Sequence, residues 1–160
     1  MTADVRTLTR AAVIAAAYAA ITVSLGDLGY GPVQVRVSEA LAVLPFLDPV
    51  GGTLGVTVGV LLANVLGPYG LPDIVGGTLL TLTAALLTAR MPKPWLAPLP
   101  PVVVNAVGVP LYLTALLGIP YWPTVGAVLA GQTVACYALG YPLLLALRNR
   151  PQLFGLPRRP

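Results

Sequence analysis

The 160-residue sequence predicts an all-α integral membrane protein of about six transmembrane helices, with both termini in the cytoplasm. Three observations predict it. Charged residues make up 9% of the chain, hydrophobic residues 57%, and mean hydropathy is +0.86; soluble domains carry about 25% charge to cover their surface. The few charges leave long gaps, sixteen uncharged residues from Asp73 to Arg90 and fifty-four from Lys93 to Arg148. A crossing takes about 20 mainly apolar residues, so the longer gap holds two. Finally, the basic residues are segregated by side, as the elements show when taken in order.

The first span runs from Thr7 to Leu25, after Arg6 and Arg10. It is long and no charged mature domain follows a cleavage-like site, so it reads as a retained helix rather than a signal peptide. A glycine-rich segment, Gly26 to Pro32, leads into Val33-Gln34-Val35-Arg36-Val37, whose period of two fits an extended loop or a short strand. An extracellular loop is thus expected over about 26–38. The apolar stretch Ser38 to Leu47 is too short to cross unaided and reads as a short, protein-buried helix, or one starting in the loop, with Ser38 as its N-cap. Asp48-Pro49-Val50-Gly51-Gly52 is a turn, and the third span follows to Leu66. After the breaker Gly67-Pro68-Tyr69-Gly70, Pro72 and Asp73 suit the first turn of the fourth span, which ends at Arg90.

Met91-Pro92-Lys93-Pro94 is a connector, and Trp95 stands at an interface position. The fifth span, Leu96 to Leu117, must start irregularly and bend because of Pro98, Pro100, Pro101 and Pro110. Gly118 to Pro123 is a turn, the sixth span runs from Thr124 to Leu147, and a basic tail occupies about 148–160. No linker divides the chain, so residues 1–160 form one domain. Six crossings put Arg6, Arg10, Arg90, Lys93, Arg148, Arg150, Arg158 and Arg159 on one side, eight of the nine basic residues, with Arg36 alone opposite. That bias marks the cytoplasmic side, and it accounts for the net charge of +4 as topology and headgroup contacts rather than a nucleic-acid footprint.

Several chemistries are excluded. There is no histidine and a single cysteine, Cys136, in an apolar stretch. This removes the commonest general base, a thiolate metal cluster and any intrachain disulfide. There is no glycine-rich phosphate loop with a following lysine. No catalytic residue, metal ligand or cofactor is expected.

Polar groups inside spans are costly and so begin as functional candidates. Glu39 opens the second helix and Asp73 the fourth from the outer side, and Asn64 lies roughly 8 Å below the outer end of the third. Asn105 and Gln132 fall near the middle of the fifth and sixth spans, Tyr112 two turns outward of Asn105, and Trp122 at the outer mouth. Arg36, three residues before Glu39, joins the set. The inner half is almost all Ala, Val, Leu and Gly. The asymmetry describes a pocket open outward and closed inward. Plainer readings stand beside it: Asp73 as a helix cap, Glu39 paired with Arg36 in the loop, the three amides as interhelical hydrogen-bond glue worth roughly 0.6 kcal/mol each, Trp122 and Trp95 as interface anchors, and Cys136 as a small core residue. In the first span Ala12, Ala16 and Ala20 recur every four residues, as do Ala11, Ala15 and Ala19. Such a stripe lets another helix approach closely, whether one of this chain's own or a partner's.

Several segments resemble the QueT (queuosine-precursor transporter) family of substrate-binding S components of energy-coupling factor (ECF) transporters. They are Val37-Ser38-Glu39-Ala40-Leu41-Ala42-Val43-Leu44-Pro45-Phe46, Leu61-Leu62-Ala63-Asn64, Leu71-Pro72-Asp73-Ile74-Val75-Gly76-Gly77, and Leu96-Ala97-Pro98-Leu99-Pro100-Pro101 running on to Asn105. Departures are Pro68-Tyr69 and Pro110. The resemblance implies a six-helix, non-catalytic S component in the bacterial plasma membrane. It would bind a 7-deazaguanine such as pre-queuosine at the outer side and dock through the alanine stripe onto a transmembrane coupling subunit carrying two cytoplasmic ATPases. The residues suit such a ligand. A carboxylate accepts the two adjacent donors of a guanine-like edge, and Asn or Gln serves its carbonyl and ring nitrogens. That places Glu39 or Asp73 at the donor edge, Asn64, Asn105 and Gln132 around the ring, and Tyr112 or Trp122 on its face. Other readings are an S component for another vitamin-like ligand, an autonomous permease using Glu39 and Asp73 as coupling carboxylates, and a non-transport interaction protein.

Overall fold

The computed structural model describes residues 4–26 and 36–150. They form six helices and, among the described residues, no strand: α1 (Val5–Ser24), α2 (Val37–Phe46), α3 (Gly51–Val65), α4 (Pro72–Thr88), α5 (Pro94–Leu117) and α6 (Tyr121–Arg148). Three of them, α1, α5 and α6, are long and apolar enough to cross a membrane, and the other three are apolar helices of 10–17 residues. The expected period-two segment lies outside the described residues except for Arg36 and Val37, and the basic tail beyond residue 150 lies outside them too.

The short second stretch is a helix of an unusual kind. Residues Val37–Phe46 wind as a 3₁₀ helix of 10 residues, with Pro45 inside. Runs of that length are uncommon, but the tighter winding rises about 2.0 Å per residue, which stretches ten residues to about 20 Å against about 15 Å for an α-helix. It starts earlier than the sequence suggests. Arg36 is its N-cap, and Ser38 is within it, its hydroxyl 2.6 Å from that of Thr22 on α1. Ser38 is therefore a bridge between helices, not a cap. Seven of the ten residues are buried, as expected of a helix enclosed by protein.

Successive helices run in opposite directions, and contacts between them set the register. At one end Arg10 of α1 meets Asp48 before α3 at 2.6 Å, while Ile14, Leu44, Val56 and Ala85 form a core with Leu147 against it. The start of α1 and the end of α6 thus share an end of the bundle. At the other end Thr22 meets Ser38, and Tyr112 of α5 meets Asp73 of α4. The closest pairing is α1 on α3. A Cβ on Gly55 would lie 2.7 Å from Ile14 Cβ, and one on Gly59 would lie 2.7 Å from Tyr18 Cβ. Bare glycines on α3 therefore admit Ala11, Ile14, Ala15 and Tyr18, all buried. This uses one of the two alanine stripes; Ala12, Ala16 and Ala20 remain exposed on the opposite face.

The start of α3 is held by Asp48, whose Oδ1 accepts the Gly51 N–H at 2.9 Å. Two helices change winding part-way: α4 opens with a π-helical turn, Pro72–Gly77, and α6 contains another, Val134–Gly140. The proline-rich start of α5 is irregular as expected, a 3₁₀ turn at Pro94–Leu96 preceding the regular helix Leu99–Leu117. That helix closes on Gly118, whose φ of 66° is open to glycine at little cost. The sixth helix begins at Tyr121, inside the segment expected to be a turn. Proline at its third position lacks an N–H that has no intrahelical partner there anyway.

Candidate functional site

Polar side chains that a membrane protein buries must find one another, and in this bundle the buried ionisable and amide groups, Asp48 apart, gather in the half remote from the chain ends. From α1, Tyr18 (0% exposed) donates its hydroxyl to Glu39 Oε1 at 2.6 Å. From the N-cap of α2, Arg36 donates to Asn64 Oδ1 at 2.6 Å. Asn64, fully buried on α3, donates in turn to the main-chain carbonyl of Asp73 at 2.7 Å. Asp73 Oδ1 accepts the hydroxyl of Tyr112 at 2.6 Å. Glu39 and Asp73 both act electrostatically on the Arg36 guanidinium, which offsets the cost of burying like charges together.

The π turn at the head of α4 and two glycines make this geometry possible. Asp73 sits in the first turn of that helix without capping it, so its side chain is free to reach α5. A Cβ on Gly77 would lie 2.7 Å from both Asn64 Nδ2 and Asp73 Oδ1; only hydrogen fits at this node. Outside the helices, burial and the Asp73 charge push the Tyr69 phenol above its usual range, with Arg36 opposing. Tyr69 therefore stays neutral at physiological pH.

On the inner side of the cluster lie the two amides expected near mid-span. Gln132 and Asn105 are each 3% exposed. On α5 and α6, Val109 and Leu113 pack on Val128. One turn inward of that contact on each antiparallel helix come Asn105 and Gln132, which share a depth. Gln132 lies against the Glu39 carboxyl group, and the Cys136 thiol joins them, 3.5 Å from the Glu39 carbonyl and 3.5 Å from Gln132 Oε1. Asn105 makes no side-chain hydrogen bond among the described residues.

Of the residues singled out from the sequence, Arg36, Glu39, Asn64, Asp73 and Tyr112 are brought together, Gln132 joins them from the inner side through Glu39, and Asn105 is buried at the depth of Gln132. Trp122 is not. It is 78% exposed, with its ring centroid 5.2 Å from that of Tyr121, because the early start of α6 turns it outward. It occupies an outer-surface position, apart from the enclosed cluster. Arg36 meets Asn64 and is also coupled electrostatically to Glu39. Tyr18 was not anticipated. The signal was its position, three residues after Ala15 on the stripe that faces the glycines of α3. Cys136 is buried as expected, but it also touches the cluster. A separate groove of about 340 Å³ between α4 and α5, lined by Gly76, Leu79, Leu80, Gly108 and Leu111 among others, is apolar. Tyr112 borders it with its ring while its hydroxyl serves Asp73.

An apolar helical bundle with an ionisable cluster enclosed in one half is the form of a membrane protein. The chain belongs to the QueT transporter family, whose model matches residues 8–149. No curated protein matches the chain, and no solved structure does.

Proposed function

We propose that this chain is the substrate-binding S component of an ECF-type importer. In this reading all six helices cross the plasma membrane, both termini are cytoplasmic, and a queuosine precursor, a 7-deazaguanine, is captured at the outer face. The observation that carries it is the enclosed cluster of Arg36, Glu39, Asn64, Asp73, Tyr112 and Gln132 in a member of the QueT transporter family. Such a cluster offers carboxylates to the donor edge of a guanine-like ring and amides to its carbonyl. The half of the bundle holding Arg10, Arg90 and Arg148 offers no matching set, which favours capture over a continuous path.

Energy then comes from outside the chain, from a transmembrane coupling subunit with two cytoplasmic ATPases. The docking face is Ala12, Ala16 and Ala20; their exposure on α1 supports this, since α3 already takes up Ala11 and Ala15. Calorimetric and thermal-shift titration of the detergent-purified protein with pre-queuosine, its 7-cyano form and guanine tests the reading. Saturable stabilisation by a deazaguanine is expected, and absence of any response from folded protein refutes the ligand. Uptake into liposomes by this chain alone, without coupling subunit or ATP, would point to an autonomous permease.

A further inference from the structure

We infer that Glu39, and not Asp73, accepts the N–H donor edge of the bound ligand, and that Tyr18 is the residue that positions it; the inference rests on the deazaguanine reading above.

The two carboxylates are differently committed. Glu39 is 2% exposed, and Tyr18 holds its Oε1. Its Oε2 is buried and closes no hydrogen bond among the described residues. A carboxylate oxygen enclosed without a donor is strongly unfavourable, so this one is directed at a donor that the described residues do not supply. Beside it stand the Gln132 amide and, across on α5, the amide of Asn105, which has no side-chain partner among the described residues. The Glu39 carboxyl from α2 and the Gln132 amide from α6 thus meet in one place, with the Cys136 thiol on Gln132 Oε1, and Asn105 adds a buried amide from α5.

Asp73, by contrast, is tied into a chain of bonds through its side chain and its main chain. Its Oδ1 takes the Tyr112 hydroxyl, its carbonyl takes Asn64, and Asn64 takes Arg36. Asn64 and Asp73 sit closely over Gly77, where an added carbon would meet both at 2.7 Å. Asp73 therefore ties α3, α4 and α5 together, and Glu39 reads the ligand. The bond from Tyr18 fixes one oxygen and so fixes the direction of the other. Two adjacent N–H groups, such as the ring N–H and exocyclic amine of a guanine-like edge, fit this carboxylate. The same ring without the amine leaves it half-served.

The test is calorimetric titration of the full-length purified protein with 7-aminomethyl-7-deazaguanine and with its counterpart lacking the exocyclic amine. Wild-type protein is expected to prefer the amine-bearing compound by about 100-fold or more, because a missing donor strands a buried acceptor. Glu39→Gln should reduce that ratio below about tenfold, since an amide offers a single acceptor oxygen. Asp73→Asn should weaken both compounds alike and keep the ratio. Tyr18→Phe should lower the ratio, whereas Thr22→Val, at the same α1–α2 contact, should not. A ratio near one in wild type overturns the inference even where Glu39→Gln does not fold. So does a ratio lost in Asp73→Asn and kept in Glu39→Gln. An unchanged ratio in Tyr18→Phe removes the positioning role. Binding of neither compound by wild type overturns the deazaguanine reading, and the inference with it.

Discussion

Tyr18 and Glu39, on the first and second helices, are joined by a hydroxyl-to-carboxylate hydrogen bond of 2.6 Å, with both side chains buried. Such charge-assisted bonds are short and strong. They also make the second helix, which is too short to be anchored by lipid contact alone, dependent on the first. The neighbouring contact between Thr22 and Ser38 repeats the link one turn further along.

Removing the hydroxyl of Tyr18 should therefore be felt without any ligand. Tyr18→Phe is expected to destabilise the folded protein by about 1–3 kcal/mol, the range for leaving a buried acceptor unserved. Thermal unfolding in detergent measures it. A melting temperature equal to that of wild type would show that the bond contributes nothing.

The Gly77 node admits no carbon. Gly77→Ala places a methyl 2.7 Å from Asn64 Nδ2 and Asp73 Oδ1, and is expected to cost about 1–3 kcal/mol, the usual range for overpacking. Gly126→Ala is the control, because its added carbon meets nothing within 4 Å. In a helix interior that exchange should be neutral or stabilising by about 0.5–1 kcal/mol. Equal melting temperatures for the two variants would contradict the geometry.

Asp48 serves both Arg10 and the Gly51 N–H, and the two roles can be separated. Arg10→Gln removes the ion pair and a hydrogen bond to Thr7 but leaves the Gly51 contact, and should cost about 1 kcal/mol or less. Asp48→Asn keeps a capping oxygen, whereas Asp48→Ala loses cap and pair together and should cost about 1 kcal/mol more than Arg10→Gln. Chemical or thermal denaturation of the three variants gives the order, and an Asp48→Ala no worse than Arg10→Gln would remove the capping role.

Cys136 is a probe in place. It is 0% exposed and touches Glu39 and Gln132, so a small thiol reagent should modify it slowly in the folded protein and quickly after denaturation. A ligand seated on Glu39 and Gln132 should slow the folded-state reaction further. Mass spectrometry of time points reads the rate; rapid labelling of folded protein would show that the cluster is open to water at this depth.

Much of this was legible in the sequence, for identifiable reasons. Helix limits followed from charge gaps and from Gly-Pro breakers, because lipid tolerates few polar groups in between. Glu39, Asn64, Asp73, Tyr112 and Gln132 stood out because polar residues are rare in apolar runs. Tyr18 did not, since a tyrosine in an alanine-rich helix reads as apolar surface unless the facing glycines of α3 are known. Trp122 misled because aromatic residues at helix ends serve lipid interfaces as readily as ligands, and one residue of helical phase decides between them. The 3₁₀ winding of α2 and the π turns of α4 and α6 depend on which carbonyl each N–H selects, and hydrophobic periodicity over 6–10 residues does not distinguish those choices.

Every one of the six helices donates a side chain to the cluster or its inner layer: Tyr18, Glu39, Asn64, Asp73, Tyr112 with Asn105, and Gln132. No shorter product of synthesis can offer the complete site, since Gln132 arrives with the last helix. A tightly bound solute would accordingly select finished molecules from nascent ones and hold them against unfolding, by about 2.7 kcal/mol at one hundred times its dissociation constant. Supply of the solute would then influence how much of the protein survives quality control, as well as how much it carries.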